Sequence, residues 1–192
     1  MDTCEFVEAP VVRIGIFMSP LVVHVNRAPI DGTVVYRNVM PGKFLAAYDK
    51  GAYEGNERIS TGLLCEQIPL PAVEGSAAGA SATPAAKPPV REPVRILVRQ
   101  IAGVLARRVT MCVPVGTRLA RGQRFGIVKF GSRAEVFVPV TVQLDIQIRP
   151  GQSVRAGETV LAIVREPGYR SPSALLAPAA SSAAPSGEAP RA

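Results

Sequence analysis

One pattern occurs twice in the C-terminal half of this chain, and it narrows the fold more than any other feature. Val113-Pro114-Val115-Gly116-Thr117-Arg118-Leu119-Ala120-Arg121-Gly122 is echoed by Ile148-Arg149-Pro150-Gly151-Gln152-Ser153-Val154-Arg155-Ala156-Gly157. The glycines recur at equal separation, and each copy runs into an apolar stretch, Phe125 to Val128 and Thr159 to Val164. A glycine turn leading into β-branched residues reads as strand-turn-strand. Such units bury their apolar faces only against one another, which suits a small β-sandwich or flattened barrel. Composition points the same way: tryptophan is absent, aromatics make up 5% of the chain, and Val, Ile and Gly are frequent. The expected fold is mainly β, with one or two short helices.

Taken in order, Val11 to Phe17 is a predicted strand, interrupted by Met18-Ser19-Pro20. Leu21 to Arg27 is a second, with Val22, His24 and Asn26 on one face and Val23, Val25 and Arg27 on the other. Ala28-Pro29-Ile30-Asp31-Gly32 reads as a turn and Thr33 to Asn38 as a returning strand, so the two should form a hairpin-like pair. Met40 to Arg58 is too polar for a core strand and reads as a long loop with a helical turn. Ile59 to Ile68 and Val94 to Gln100 are further strands. Between them, residues 69–93 shift to Ala, Pro, Gly and Ser and read as a flexible insertion that leaves and re-enters one hairpin. Ile101 to Val109 fits a short helix or a bent strand. The chain after Glu166 is again Ala, Pro and Ser and reads as a disordered tail over 167–192. The ordered part is thus expected to be a single domain within residues 1–166. The repeated hairpins resemble those of lipoyl- and biotin-carrier domains. The likeness is architectural, because Lys129 lacks the flanking residues of a cofactor-bearing lysine.

Lys129-Phe130-Gly131-Ser132-Arg133 interrupts a strand pattern that runs from Gln123 to Pro139. Glycine in a strand marks a bulge or a close backbone approach, so one reading is a bulge carrying a surface serine. The other reading is chemical. A serine hydroxyl can attack the carbonyl of its own preceding peptide bond and turn the amide into an ester. Glycine at the attacked position removes the Cβ that would obstruct that geometry. Elimination from the ester cuts the chain, and loss of ammonia leaves a pyruvoyl group. Such a ketone forms a Schiff base with an amine and accepts electrons.

The net charge of +7 favours an anionic partner. No stacking aromatics interleave with the basic residues and no groove-reading helix is apparent, so a membrane surface is preferred to nucleic acid. Cys4, Cys65 and Cys112 show no ligand spacing and read as reduced thiols of a cytoplasmic protein without a metal site. No apolar run approaches the roughly 18 residues of a membrane span, and Met1-Asp2-Thr3-Cys4-Glu5 is not a signal peptide.

Several ordered motifs resemble the phosphatidylserine decarboxylases in their short form. Ile16-Phe17-Met18-Ser19-Pro20-Leu21-Val22-Val23-His24-Val25-Asn26-Arg27-Ala28-Pro29 is similar to the family's histidine-bearing motif. Pro41-Gly42-Lys43-Phe44, Asn56-Glu57-Arg58 and Gln100-Ile101-Ala102-Gly103 with Ala106-Arg107-Arg108 resemble the following markers. Arg124-Phe125-Gly126 with Phe130-Gly131-Ser132-Arg133 resembles the self-processing site. The likeness covers roughly residues 11 to 164.

The resemblance implies a proenzyme cut between Gly131 and Ser132 into a β chain, 1–131, and an α chain from 132 that begins with pyruvoyl. It implies conversion of phosphatidylserine to phosphatidylethanolamine and carbon dioxide, in association with the cytoplasmic face of the membrane. The two chains would stay together, with homo-oligomerisation left open. By the same resemblance the catalytic residues are Ser132 and His24, the histidine serving in processing and decarboxylation. Read without it, His24 is a partly buried strand residue satisfied by a neighbour. Arg27 and Asn26 are candidates for the lipid phosphate or carboxylate, against a solvated strand end. For Arg133, a substrate contact stands beside an ion pair with Glu135 or Asp49. The family's apolar anchor, Arg-Asp-Pro stretch and Pro-x-Asp-Gly strand do not occur before Val11. A start upstream of Met1 is the favoured explanation, beside a working variant that recruits another base and a degenerate copy that never matures. The competing reading is a non-catalytic module of the same fold that does not mature.

Overall fold

The computed structural model describes residues 4–22, 24–47, 51–66, 93–104, 108–128 and 131–165. The insertion expected over 69–93, the tail over 167–192, Lys129 and Asp49 lie outside the described residues, apart from Pro93 at the insertion's end. The β-branched runs do become strands, and they pair into three sheets. The largest contains β1 (Val11–Met18), β3 (Gly32–Met40), β4 (Arg58–Cys65), β5 (Val94–Ile101), β7 (Arg118–Leu119) and β9 (Ser132–Pro139). Its order is β1-β9-β5-β4-β3-β7. A second sheet, of order β2-β8-β6, holds β2 (Val25–Arg27), β6 (Val109–Met111) and β8 (Arg124–Val128). β10 (Leu144–Ile146) pairs with β11 (Ala162–Val164). The sheets stay open, so the mainly β expectation holds as a sandwich and not as a closed barrel. The single helix among the described residues is α1 (Ala52–Gly55), the helical turn expected in the polar loop. None is long and apolar enough to cross a membrane.

The main core lies between the two larger sheets. Val34, Ile59, Leu63, Ile96, Val98, Leu119, Val136 and Val138 of the large sheet pack with Met111 and Phe125 of the three-stranded one, all buried. A second cluster covers the outer face of the large sheet, where Val7 packs with Val11, Leu97 and Phe137. Phe6 stacks on Tyr36 at a centroid distance of 5.1 Å. Gly62 makes room for it, since a Cβ there would come within 2.7 Å of the Phe6 ring. The sequence pattern before Val11 gave no sign of this role.

The repeat is a structural one. Backbone N–H groups close turns from Thr117 to Pro114, Gln123 to Ala120, Gln152 to Arg149 and Glu158 to Arg155. The third residue of each turn is a left-handed glycine: Gly116, Gly122, Gly151 and Gly157 have φ of 92, 80, 81 and 82°. This backbone is one that only glycine adopts without strain.

Two expectations are corrected. The predicted strand Leu21–Arg27 shortens to Val25–Arg27, because Pro20 has no N–H and Val22 instead bonds back to Ser19 in a turn (3.2 Å). β2 and β3 do not form a hairpin: β2 pairs with β8 in one sheet, while β3 pairs with β4 and β7 in the other. The insertion does join one hairpin, since Cys65 lies opposite Val94 in the β4–β5 ladder.

Candidate active site

Gly131-Ser132 is not a bulge within one strand. β8 belongs to the three-stranded sheet and β9 to the six-stranded one, so the pair stands where the chain crosses between layers. Gly131 has φ of 66°, and Ser132, opposite Met18 in the β1–β9 ladder, is fully buried. The surface-serine reading is thereby set aside. The Ser132 hydroxyl donates to the Val128 carbonyl at 3.4 Å. The Val128 N–H in turn donates to the His24 carbonyl at 3.1 Å. Val128 therefore holds the backbone of His24 on one side and the Ser132 hydroxyl on the other. The His24 side chain is half-buried, with its Nε2 shielded from solvent.

Two segments close over Gly131. Pro20, in the turn before His24, lies 3.6 Å from where a Gly131 Cβ would stand. On the other side is Gly103, at which a Cβ would overlap the Gly131 carbonyl oxygen. Asn56 fixes this second segment. Its amide is fully buried, accepts from the Leu45 N–H and donates to the carbonyls of Leu45 and Ala102, each at 2.8 Å. The neighbouring Gly42 lets the loop approach: a Cβ there would come within 2.5 Å of the Gly55 carbonyl. The residues at these two markers thus build the wall beside the Gly-Ser bond.

The remaining predicted residues are placed elsewhere. Asn26 is buried between the sheets, where its Oδ1 accepts from Gln100 Nε2 at 2.7 Å beneath Gly126. It is not a solvated strand end. Arg27 pairs with Arg124, at the far end of β8 from Ser132. Its Nη1 donates to the Gly122 carbonyl at 2.8 Å, and its side chain lies 2.9 Å from where a Gly157 Cβ would stand. Arg27 therefore bonds to the second turn of the first repeat copy and lies against the second turn of the other. Arg133 forms an ion pair with Glu135 at 2.8 Å, one of the alternatives open for it. Glu135 is fully buried, and Arg99 reaches its other oxygen at 3.9 Å while stacking over the Phe137 ring at 4.8 Å. These contacts lie on the outer face of the sheet, whereas Ser132 faces inward.

Sequence reasoning gave Gln100, Gly103 and Asn56 no role beyond marking the resemblance, and gave Glu135 only a pairing. The one available signal was a polar residue or glycine set among strand residues. Among the described residues no group of acidic, histidine or cysteine side chains could hold a metal ion.

Comparison with known proteins gives the family. The family model described as phosphatidylserine decarboxylase matches residues 6–69 and 90–162. The chain belongs to the phosphatidylserine decarboxylase family. Its relatives include the phosphatidylserine decarboxylase proenzyme of Symbiobacterium thermophilum, 40% identical over 82% of this chain and 60% of the relative. The proenzyme of Salinibacter ruber is 40% identical over 95% of this chain and 70% of its own. That of Paramagnetospirillum magneticum is 39% identical over 81% and 53%. The chain thus spans about half to two thirds of the length of these curated relatives. No solved structure matches it. The gap between the two matched segments coincides with the Ala/Pro-rich insertion.

Proposed function

We propose that this chain is a self-processing precursor that cuts itself between Gly131 and Ser132 and then decarboxylates phosphatidylserine. The observation that carries this reading is a fully buried serine directly after a left-handed glycine, at the crossing between two sheets. Burial removes water that would compete in the acyl shift. The Val128 carbonyl accepts a hydrogen bond from the Ser132 hydroxyl and so holds the nucleophile beside the bond it attacks. His24, whose backbone is fixed by the same residue, is the group to take up and return protons. As the hydroxyl oxygen bonds to the Gly131 carbonyl carbon, the bond to the Ser132 nitrogen breaks and that nitrogen takes the proton. Loss of the residue-132 Cα proton then breaks the Cβ–O bond and frees the Gly131 carboxylate. The dehydroalanine left behind tautomerises to an imine that water hydrolyses to the ketone and ammonia.

The pyruvoyl group left on residue 132 fits the space, since it is no larger than the serine it replaces and Gly131 and Gly103 present no side chains. It supplies a carbonyl that condenses with the substrate amine and draws off electrons as carbon dioxide leaves. The protein's own part is to exclude water, hold the headgroup and return a proton. After cutting, β9 remains between β1 and β5, both from the first chain, so the two products stay interlocked. The net charge of +7 suits a peripheral position on an anionic membrane surface, on the cytoplasmic side.

The test is intact mass beside Ser132→Ala. Two chains, the smaller one lacking an ammonia relative to plain hydrolysis, are expected for the parent and one uncut chain for the variant. Carbon dioxide release from phosphatidylserine vesicles should follow the cut fraction. An uncut parent would instead mark a module that does not mature. His24→Ala, which keeps the backbone bond to Val128, should slow maturation by about a hundredfold, within the usual range for a lost general acid–base group.

A further inference from the structure

Gly103 is buried and stands against the bond to be broken, yet its backbone does not call for glycine. It is absent from the left-handed residues, which include Gly131 itself. The requirement is spatial. A Cβ at residue 103 would overlap the Gly131 carbonyl oxygen and come within 2.8 Å of the carbonyl carbon. The segment cannot easily retreat, because Ala102 is held at both backbone groups. Its carbonyl accepts from Asn56 Nδ2 at 2.8 Å, and its N–H donates to the Glu57 carbonyl at 2.9 Å. Gly131 is confined on the other side by Pro20.

We propose that Gly103 is the seat of the scissile carbonyl, a positioning residue for maturation that works by carrying no side chain. The inference rests on the self-processing reading above. In the acyl shift, the Ser132 oxygen bonds to the Gly131 carbon and the carbon–nitrogen bond breaks as the hydroxyl proton moves to the nitrogen. The carbonyl carbon becomes tetrahedral on the way, so its oxygen must leave the peptide plane. Only a hydrogen at residue 103 leaves room for the planar carbonyl and for that displacement. A methyl group and the carbonyl oxygen would have to move apart by more than an ångström, and misplacement of that order slows a positioned reaction by about a hundredfold.

Four full-length chains test this: the parent, Gly103→Ala, Ser132→Ala and the double variant. Intact mass against time should show Gly103→Ala cutting at least about tenfold more slowly than the parent. The thermal midpoints of Ser132→Ala and the double variant, neither of which can cut, should both lie well above the assay temperature. Hydroxylamine, which cleaves esters, should release no 1–131 fragment from uncut Gly103→Ala, because the block precedes ester formation. Cutting at the parental rate overturns the proposal. So does a double variant that is unfolded at the assay temperature, which would make Gly103 a packing residue only. Release of the fragment by hydroxylamine overturns it as well, placing the block after the shift. A parent that itself stays uncut overturns both this inference and the self-processing reading, whereas a parent that cuts alongside an equally active Gly103→Ala overturns this inference alone.

Discussion

Glu135 shows how much a single buried charge can demand of its neighbours. It is fully buried three residues beyond the Gly-Ser bond, with Arg133 at 2.8 Å and Arg99 at 3.9 Å. Gly15 opposes it in the ladder, and a Cβ on Gly15 would collide with the Arg133 guanidinium. Removing the carboxylate takes the 2.8 Å ion pair from an Arg133 guanidinium that is only 21% exposed, while Arg99 keeps its pair with Glu5 at 3.0 Å. Glu135→Ala should therefore destabilise the chain by about 3 kcal/mol in urea unfolding. Arg133→Ala should do less harm, because Arg99 still faces the carboxylate; equal losses would mean the pair with Arg99 contributes nothing. Cys65 is a different case: burial, reinforced by the nearby Asp31 charge, raises its thiol to about 12. A raised pKa stabilises the protonated form, so its contribution is intact below the ordinary thiol value near 9.0 and fades as pH climbs towards 12. Cys65→Ala should flatten the fall in thermal midpoint between those limits relative to the parent. Thiol reagents near neutrality should label exposed Cys112 and spare Cys65 until the chain unfolds.

At the level of elements, a loop of 43–47 and a strand end at Ala102 are joined by one amide, that of Asn56. The pairing of Lys43 with Asn56 and the close approach at Gly42 depend on the same meeting. Asn56→Asp keeps the size but replaces two donated hydrogen bonds by a carboxylate facing two carbonyls. It should lower stability by about 3 kcal/mol, more than Asn56→Ala, measured by chemical unfolding. Maturation should slow in step, since the same amide steadies the segment against the Gly131 carbonyl. A variant that loses stability but matures at the parental rate would disconnect the loop from the site. The repeat copies meet in a comparable way through Arg27, which the sequence pattern had offered as a substrate ligand. Its guanidinium bonds to the second turn of the first copy and lies against that of the other.

For the molecule as a whole, strand order matters more than any single strand. β9 carries Ser132 and sits between β1 and β5, so a chain cut before Ser132 would not shed that strand without breaking both ladders. The insertion between β4 and β5 has no such role, because Cys65 and Val94 already pair across its ends. Shortening it about fivefold should leave the fold and maturation unchanged and add roughly 1.4 kcal/mol from reduced loop-closure entropy. A loss of maturation in the shortened chain would show that the insertion contributes to the site.

The sequence by itself determined the strands, the repeated glycine turns and the Gly131-Ser132 pair, because alternation, turn chemistry and missing side chains are local properties. It also located the hairpin that carries the insertion, whose ends fall in two matching apolar runs. Only the tertiary structure decided the rest. The separation of β2 from β3 follows from pairing between distant segments, which no local pattern encodes. The burial of Asn26 against Gln100, the bridging by Arg27 and the covering of the outer face by Val7 depend on which layer each strand joins. Gly103 is the clearest case, since the reason for a glycine there is a carbonyl elsewhere in the sequence that folding brings against it.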